Sequence, residues 1–66
     1  MKATVKEING APTVENINEA KMDKVFSMTG FNYGLFENDN GNGTFTVTFD
    51  SRSDAEKFVK LYNELN

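Results

Sequence analysis

The segment spanning residues 43–65 constrains the fold of this chain most, because a strand pattern and a helix pattern follow each other there with a short break. Residues 44–49 read Thr-Phe-Thr-Val-Thr-Phe and alternate polar with apolar side chains. This period of two is typical of a β-strand with one buried face. The three threonines are expected to face outward. The side chains expected to face inward are Phe45, Val47 and Phe49.

A helix is predicted after residues 50–52, where the alternation ends. Ser53 is the expected N-cap, because Glu56 follows three residues later as in a capping box. The outer face is expected to carry ordinary surface ion pairs among Glu56, Lys60 and Glu64. An apolar stripe at i, i+3, i+4 and i+7 spacing is formed by Ala55, Phe58, Val59 and Tyr62.

The N-terminal segment predicts one strand and leaves a second one open. Residues 2–8 are expected to form a strand, and Asn9-Gly10 is a strong hairpin-turn signal. Residues 11–17 form either a second strand or an irregular loop, because Pro12 cannot donate to a ladder and would confine a strand to an edge. A hairpin would place Val14 near Val5. Ala3 and Val5 are expected on one face of the first strand, and Thr4 and Lys6 on the other.

The middle of the chain predicts a helix, a strand and a loop. Residues 18–29 are expected to be helical, with Asn18 as N-cap and Gly30 as C-terminal cap. Residues 31–36 are expected to form a strand, and the polar loop 37–43 to close a hairpin. The helical stripe consists of Met22, Val25, Phe26 and Thr29. The strand has an inward set of Phe31, Tyr33 and Leu35, with Leu35 opposite Phe45 and Tyr33 opposite Val47.

These elements predict a single α+β domain over residues 1–66. We expect an antiparallel sheet of three to four strands with two helices on one face, in the order β-α-β-β-α or β-β-α-β-β-α. The helical stripes and the inward strand residues must bury one another, so Phe26 and Phe58 are expected in the core.

Composition excludes several classes of function. The chain has no cysteine and no histidine, which removes disulfides, thiolate and imidazole metal sites, and the usual catalytic bases. We therefore expect no enzyme and no cofactor. Its net charge of −3 argues against a general grip on nucleic-acid phosphates. No apolar run reaches membrane length and no signal-peptide core follows Met1, so a cytoplasmic protein is expected.

The Asn-rich loop invites comparison with a calcium-binding loop. With Gly43 as the loop glycine, Asn38, Asn40 and Asn42 would take the first, third and fifth ligand positions. The first position then lacks a carboxylate, and the twelfth falls on Phe49, an expected core residue. A solvated hairpin loop is the preferred interpretation.

Two stretches resemble RNA-recognition-motif domains. Residues 18–30, Asn-Glu-Ala-Lys-Met-Asp-Lys-Val-Phe-Ser-Met-Thr-Gly, are similar to that family's first helix, T-E-E-x-L-x-x-L-F-S-x-F-G. Residues 49–56, Phe-Asp-Ser-Arg-Ser-Asp-Ala-Glu, are similar to F-x-S-x-E-D-A-E before its second helix. The resemblance covers most of residues 18–65. It implies a ferredoxin-like fold without the family's last strand.

The family's RNA-binding residues are not matched. Its octapeptide falls on residues 42–49, where Thr44 and Thr46 replace the base-stacking aromatics and Asn42 replaces the leading basic residue. Its first-strand aromatic would fall near Thr4. Because stacking supplies much of the family's affinity, RNA binding is expected to be weak. The resemblance therefore implies the packing and not the activity.

The expected function is binding of another macromolecule, most often a protein, with nucleic acid as the first alternative and an acidic nucleic-acid mimic as the second. Short acidic chains of this kind resemble phage accessory proteins that inhibit host machinery. The chain is expected to be a monomer or a weak homodimer through a free sheet edge. The free edge of the first strand is a second expected route for a partner, which would add a strand there. Phe36 is an exposed anchor, unless its ring folds back over the sheet edge or the register of its strand differs by one residue, which would reverse its face. The open sheet face is expected to carry Thr4, Lys6, Asn32, Gly34, Phe36, Thr44, Thr46 and Thr48.

Overall fold

The computed structural model describes residues 2–29 and 36–65. Within these residues four strands form one antiparallel sheet in the order β1-β2-β4-β3, and both helices pack on one face of it. This α+β arrangement confirms the longer predicted order, β-β-α-β-β-α. The elements are β1 (Val5–Ile8), β2 (Ala11–Asn18), α1 (Glu19–Thr29), β3 (Phe36–Asp39), β4 (Thr44–Thr48) and α2 (Arg52–Glu64).

The first hairpin is built on the predicted turn. Asn9 and Gly10 have φ angles of 53° and 77°, the pair of positive values that a two-residue type I′ turn requires. Ile8 pairs with Ala11, and Val5 pairs with Val14. The strand alternative for the second segment is therefore confirmed. The first strand begins at Val5 rather than Lys2.

Pro12 does not confine β2 to an edge, and this expectation was wrong. β2 lies between β1 and β4. The carbonyl oxygen of Pro12 accepts the Phe49 N–H at 2.9 Å, so the backbone of Pro12 faces β4. The β2–β4 ladder starts one residue later, at Thr13 opposite Thr48. Because the missing N–H falls at the end of that ladder, the proline costs the sheet no internal hydrogen bond.

A bulge in β2 brings two apolar side chains to the same face. Val14 pairs with Val47 and Ile17 with Phe45, so three steps along β2 match two along β4. Asn16 has a φ of 58° within this interval, a left-handed conformation that asparagine tolerates better than most residues. Without the extra residue, Val14 and Ile17 would point to opposite faces. Both are fully buried under the helices.

Both helices begin with a polar N-cap side chain, as predicted, but the N-cap of α2 is a different residue from the predicted one. Asn18 caps α1 by accepting the Lys21 N–H at 3.0 Å. The N-cap of α2 is Ser51, whose hydroxyl accepts the Asp54 N–H at 3.1 Å. The prediction of Ser53 was wrong by two residues, because Ser51 already has extended backbone and an acidic residue three positions later.

The core confirms the predicted stripe of α2. Phe58 is fully buried, and its ring centroid lies 5.4 Å from that of Phe26, 5.3 Å from Phe49 and 5.8 Å from Tyr62. Phe26 is only partly buried at the margin of this cluster. The buried apolar residues are Val14, Ile17, Met22, Val25, Val47, Phe49, Ala55, Phe58 and Tyr62.

The second hairpin has a register different from the predicted one. β3 runs through Asp39, so the loop is limited to residues 40–43. Asp39 and Glu37 take the places opposite Phe45 and Val47 that were expected for Leu35 and Tyr33. The shift is four residues, an even number, so the expected face of each side chain is unchanged. The predicted strand residues 31–35 and the Gly30 cap lie outside the described residues.

Candidate docking surface

The sheet face opposite the helices, called the open face here, is set by strict alternation along β4. Val47 and Phe49 point into the core, so Thr44, Thr46 and Thr48 point away from it. Phe36 pairs with Thr48 and Asn38 with Thr46, which places both β3 side chains on the open face. The further open-face residues described are Lys6 and Ile8 of β1 and Ala11, Thr13 and Glu15 of β2.

Phe36 is the largest exposed apolar side chain of the described residues. Its exposed fraction is 67%, and that of Met28 on α1 is 57%. The predicted face of Phe36 is confirmed, since the four-residue register shift preserves it. The alternative in which the ring folds back over the edge does not describe a side chain exposed to this extent.

The surface beside Phe36 is polar and uncharged. Thr46 donates its hydroxyl to Asn40 Oδ1 at 3.1 Å, and Asn40 Nδ2 donates to Thr44 Oγ1 at 3.1 Å. Thr13, only 3% exposed, donates to the Ala11 carbonyl at 3.1 Å. The open face carries one ion pair, Lys6 Nζ to Glu15 Oε1 at 2.9 Å, on the β1 side. Because the hydroxyl groups of Thr13, Thr44 and Thr46 bond neighbouring groups, this part of the face loses little hydrogen bonding when water is removed.

The predicted site residues are only partly brought together. Thr44, Thr46 and Thr48 lie on the strand next to Phe36. Thr4 is exposed and precedes β1, at the opposite side of the sheet. Three strand spacings separate β1 from β3, about 14 Å. Thr4 therefore does not belong to a patch centred on Phe36. Asn32 and Gly34 lie outside the described residues.

The loop that resembled a calcium site uses its oxygen atoms to hold the turn. Asp39 Oδ1 accepts the Gly41 N–H at 2.8 Å, and Asn42 Oδ1 accepts the Thr44 N–H at 3.2 Å. Phe49, at the twelfth ligand position, is in the core. Over residues 2–29 and 36–65, no group of three or more acidic side chains is placed to hold a metal ion.

The two edges of the sheet differ in how much of their backbone is accessible. At the β1 side, the Asn63 side chain accepts the Ala3 N–H at 2.9 Å and donates to the Ala3 carbonyl at 3.1 Å. Arg52 also reaches Glu7 there, at 3.8 Å. Helix α2 thus spans this edge from Glu7 to Ala3. At the opposite edge, all four residues of β3 are exposed.

The edge strand β3 also carries negative charge. Glu37 and Asp39 lie on the helix side of the sheet, opposite Val47 and Phe45. Neither carboxylate takes part in an ion pair within the described part of the chain. No feature of the sequence indicated that Asn63 bonds the backbone at the β1 edge, or that β3 is the accessible edge. Both depend on where α2 ends over the sheet.

A shallow groove of about 270 Å³ lies beside the start of β1. Its two most polar walls are already engaged, because Lys6 is paired with Glu15 and the Tyr62 hydroxyl accepts the Asn18 N–H at 2.8 Å. Its other polar side chains, Lys2, Thr4 and Asn16, make no side-chain hydrogen bond or ion pair with the described residues. Its lining residues are Lys2, Ala3, Thr4, Lys6, Glu15, Asn16 and Tyr62.

The strand that leads into α1 is β2. The elements from β2 to α2 follow the β-α-β-β-α part of a ferredoxin-like unit, and β1 pairs beside β2 from the N-terminal side. Neither helix in the described segments is both long enough and apolar enough to cross a membrane. No protein-family model, curated protein or solved structure matches this chain.

Proposed function

We propose that this chain is a non-catalytic protein-binding module whose partner docks on the open face around Phe36. The observation that carries the proposal is a phenylalanine ring with 67% of its surface exposed, beside the uncharged threonine row of β4. An aromatic anchor within a charge-poor patch is the usual composition of an interface centre. Such a module acts by occupying a partner's surface, which is how an inhibitor without catalytic groups works.

The exposed ring supplies enough free energy to act as a hot spot. A phenylalanine buries roughly 200 Å², and two thirds of that at about 25 cal/mol per Å² corresponds to about 3 kcal/mol. Part of this is offset by the cost of association. A loss of about 2 kcal/mol on truncation is therefore a reasonable expectation and meets the usual threshold for a hot spot.

Nucleic acid is the alternative ligand for the same face, because one exposed ring on a sheet could stack a base. The face is poorly equipped to hold a phosphate backbone, since its Lys6 is paired with Glu15. Thr44 and Thr46 occupy positions where further rings would be needed. A single stacking contact contributes about 1–3 kcal/mol, too little for tight binding alone.

An acidic mimic of nucleic acid is a weaker alternative. Ten acidic residues are accompanied by seven basic ones in the sequence, which dilutes any continuous negative field. Exposed charges more than about 10 Å apart are largely screened near physiological salt. We therefore assign the acidic residues first to solubility and, at β3, to local contacts with a partner.

The test is a comparison of two matched alanine variants. A partner is first isolated from lysate of the source organism with the wild-type chain and identified, and its dissociation constant is then measured for each variant. Phe36→Ala should weaken binding about thirtyfold, which corresponds to about 2 kcal/mol. Met28→Ala is the control, because it removes an exposed apolar side chain from a helix on the opposite face.

Three results would contradict the proposal. Unchanged affinity of Phe36→Ala would show that the open face is not the site. A larger loss for Met28→Ala would move the site to the outer face of α1. Sub-micromolar binding of single-stranded RNA or DNA at physiological salt, abolished by Phe36→Ala, would replace the protein partner with nucleic acid.

A further inference from the structure

Among the described residues, no strand pairs with the outer side of β3, so the backbone of β3 presents free hydrogen-bonding groups at the rim of the sheet. The Asn40 N–H donates to the Thr44 carbonyl at 3.0 Å, so the even-numbered residues of this strand face β4. Alternation then directs the N–H and C=O groups of Glu37 and Asp39 away from the sheet. Four backbone groups in register are a template for one further strand.

The opposite edge is a poorer template. There the turn pairs Ile8 with Ala11, so Val5 and Glu7 direct their backbone groups outward. Ala3, the next residue with that alternation, already bonds the Asn63 amide through both its N–H and its carbonyl. A strand adding beside β1 would have to displace the end of α2. A strand adding beside β3 displaces nothing in the described part of the chain.

The side chains of β3 define what that strand must carry. Glu37 and Asp39 stand two residues apart on the helix side, both exposed and without an ion-pair partner among the described residues. Phe36 and Asn38 lie on the open face. An added strand therefore fits best with basic side chains at alternate positions on the carboxylate side. An apolar side chain on the other side would meet the Phe36 ring.

A second copy of this chain does not satisfy these requirements. Antiparallel pairing of β3 with itself puts Glu37 opposite Asp39, or Glu37 opposite its own copy, or Asp39 opposite its own copy. Every such register places like charges directly across from each other, which destabilises a strand pair. The carboxylates thus act against self-association at this edge and in favour of a basic partner.

We propose that the partner docks an extended segment along β3 as a fifth strand, with alternating Lys or Arg side chains against Glu37 and Asp39. This inference rests on the protein-binding function proposed above and specifies the chemistry of the partner. The main-chain hydrogen bonds provide affinity, and the alternation of basic and apolar side chains provides specificity. The open face then receives the apolar side of the same segment at Phe36.

The first experiment uses a synthetic probe and so does not depend on the natural partner. The probe is a short capped peptide in which Lys alternates with Val. One control peptide has Glu in place of Lys, and the other has the same composition as the probe with its lysines contiguous.

Amide hydrogen exchange of the labelled protein is followed by NMR. Binding of the alternating Lys peptide should slow exchange of the Glu37 and Asp39 amides and leave Asn38, already bonded to β4, unchanged. Equal effects of all three peptides, or no protection at Glu37 and Asp39, would overturn the proposal.

Two variants separate the charge from the backbone. Glu37→Lys combined with Asp39→Lys should weaken the Lys peptide by up to about tenfold and allow the Glu peptide to bind, since each cross-strand charge pair changes affinity by roughly two- to fivefold. Glu37→Pro removes an outward N–H without removing a β3–β4 hydrogen bond, and should weaken the peptide about fivefold. Affinity unchanged in the double Lys variant would refute the charge argument, whether or not the proline variant folds.

These results are distinct from failure of the open-face function. If Phe36→Ala weakens the natural partner while the peptide leaves the β3 amides unprotected, the face is a docking site and the added strand is wrong. If Phe36→Ala has no effect on the natural partner, the proposed function itself fails.

Discussion

Replacing Phe58 with alanine should unfold this domain or bring it close to unfolding. Phe58 is fully buried, and its ring contacts the rings of Phe26, Phe49 and Tyr62, which come from α1, the residue after β4 and α2 itself. Truncating it therefore removes the ring on which both helices and the sheet meet. A buried Phe→Ala change costs about 3–5 kcal/mol, as lost transfer free energy plus the cavity that remains.

That cost is comparable to the whole stability of so small a domain. At roughly 0.05–0.15 kcal/mol per residue, the free energy of unfolding is about 3–10 kcal/mol for a chain of this length. Each kcal/mol shifts the melting temperature of a 60–100-residue domain by about 4–8 °C. We therefore expect Phe58→Ala to lower the melting temperature by at least about 12 °C, or to abolish the cooperative transition.

The assay is thermal and urea unfolding followed by far-UV circular dichroism, with Phe36→Ala as the matched control. The control makes the same chemical change at a residue whose ring is 67% exposed, so its stability should stay within about 0.5 kcal/mol of wild type. A Phe58→Ala variant that melts cooperatively within a few degrees of wild type would refute the assigned facing of α2. Equal losses in the two variants would refute the burial contrast on which the open face is defined.

Three further substitutions test the local chemistry. Tyr62→Phe keeps the ring under Lys21 but removes the hydroxyl that accepts the Asn18 N–H. It should lower the free energy of unfolding in urea by about 1–3 kcal/mol. An unchanged free energy of unfolding would show that water satisfies this N–H equally well. Ser51→Ala removes the N-cap of α2 and should lower the free energy of unfolding by about 0.5–2 kcal/mol. Ser53→Ala lies inside the helix and should lower it less. A larger loss for Ser53→Ala in the same assay would identify Ser53 as the cap. Gly10→Ala, at φ 77°, should cost about 1 kcal/mol in thermal melting, and a stabilised variant would contradict the type I′ turn.

The sequence was sufficient to predict elements whose side chains repeat with one period. The alternation of residues 44–49 predicted β4 and its two faces, and the stripe through Phe58 predicted the buried side of α2. Asn9-Gly10 predicted a tight hairpin because few other residues adopt two consecutive positive φ angles. In each case the local conformational preference and the burial pattern favour the same structure, so tertiary packing does not change it.

The features that escaped prediction lack such agreement. β3 reads Phe-Glu-Asn-Asp and is exposed throughout, so no hydrophobic alternation fixes its ends or its register. Ser51 and Ser53 each have an acidic residue three positions later, and only the backbone conformation distinguishes the true cap. The bulge at Asn16 depends on pairing between β2 and β4, strands that are distant in sequence. These are non-local choices, which a local pattern does not determine.

The candidate site was predictable in part for the same reason. The face of Phe36 depends only on parity along the strand, so it survived a register error of four residues. The accessible edge depends on where α2 ends and which side chain it projects, and the Asn63 contact with Ala3 gave no sign in the sequence. The edge expected to be free is therefore partly occupied, and β3 offers the longer run of outward backbone groups.

The strands contribute unequally to the core, because the two helices cover only part of the sheet. The buried side chains from the sheet come from β2, from β4 and from Phe49 just after it, whereas every residue of β3 is exposed. Substitutions on β3 consequently leave the core contacts intact, and their effects on binding should add to those of core substitutions rather than couple with them. An exposed edge strand carrying one aromatic ring and two carboxylates adds little to the core, and it is there that a surface can be specialised without loss of core packing. This separation is why Phe36, Glu37 and Asp39 can be tested by substitution in a domain too small to tolerate loss of Phe58.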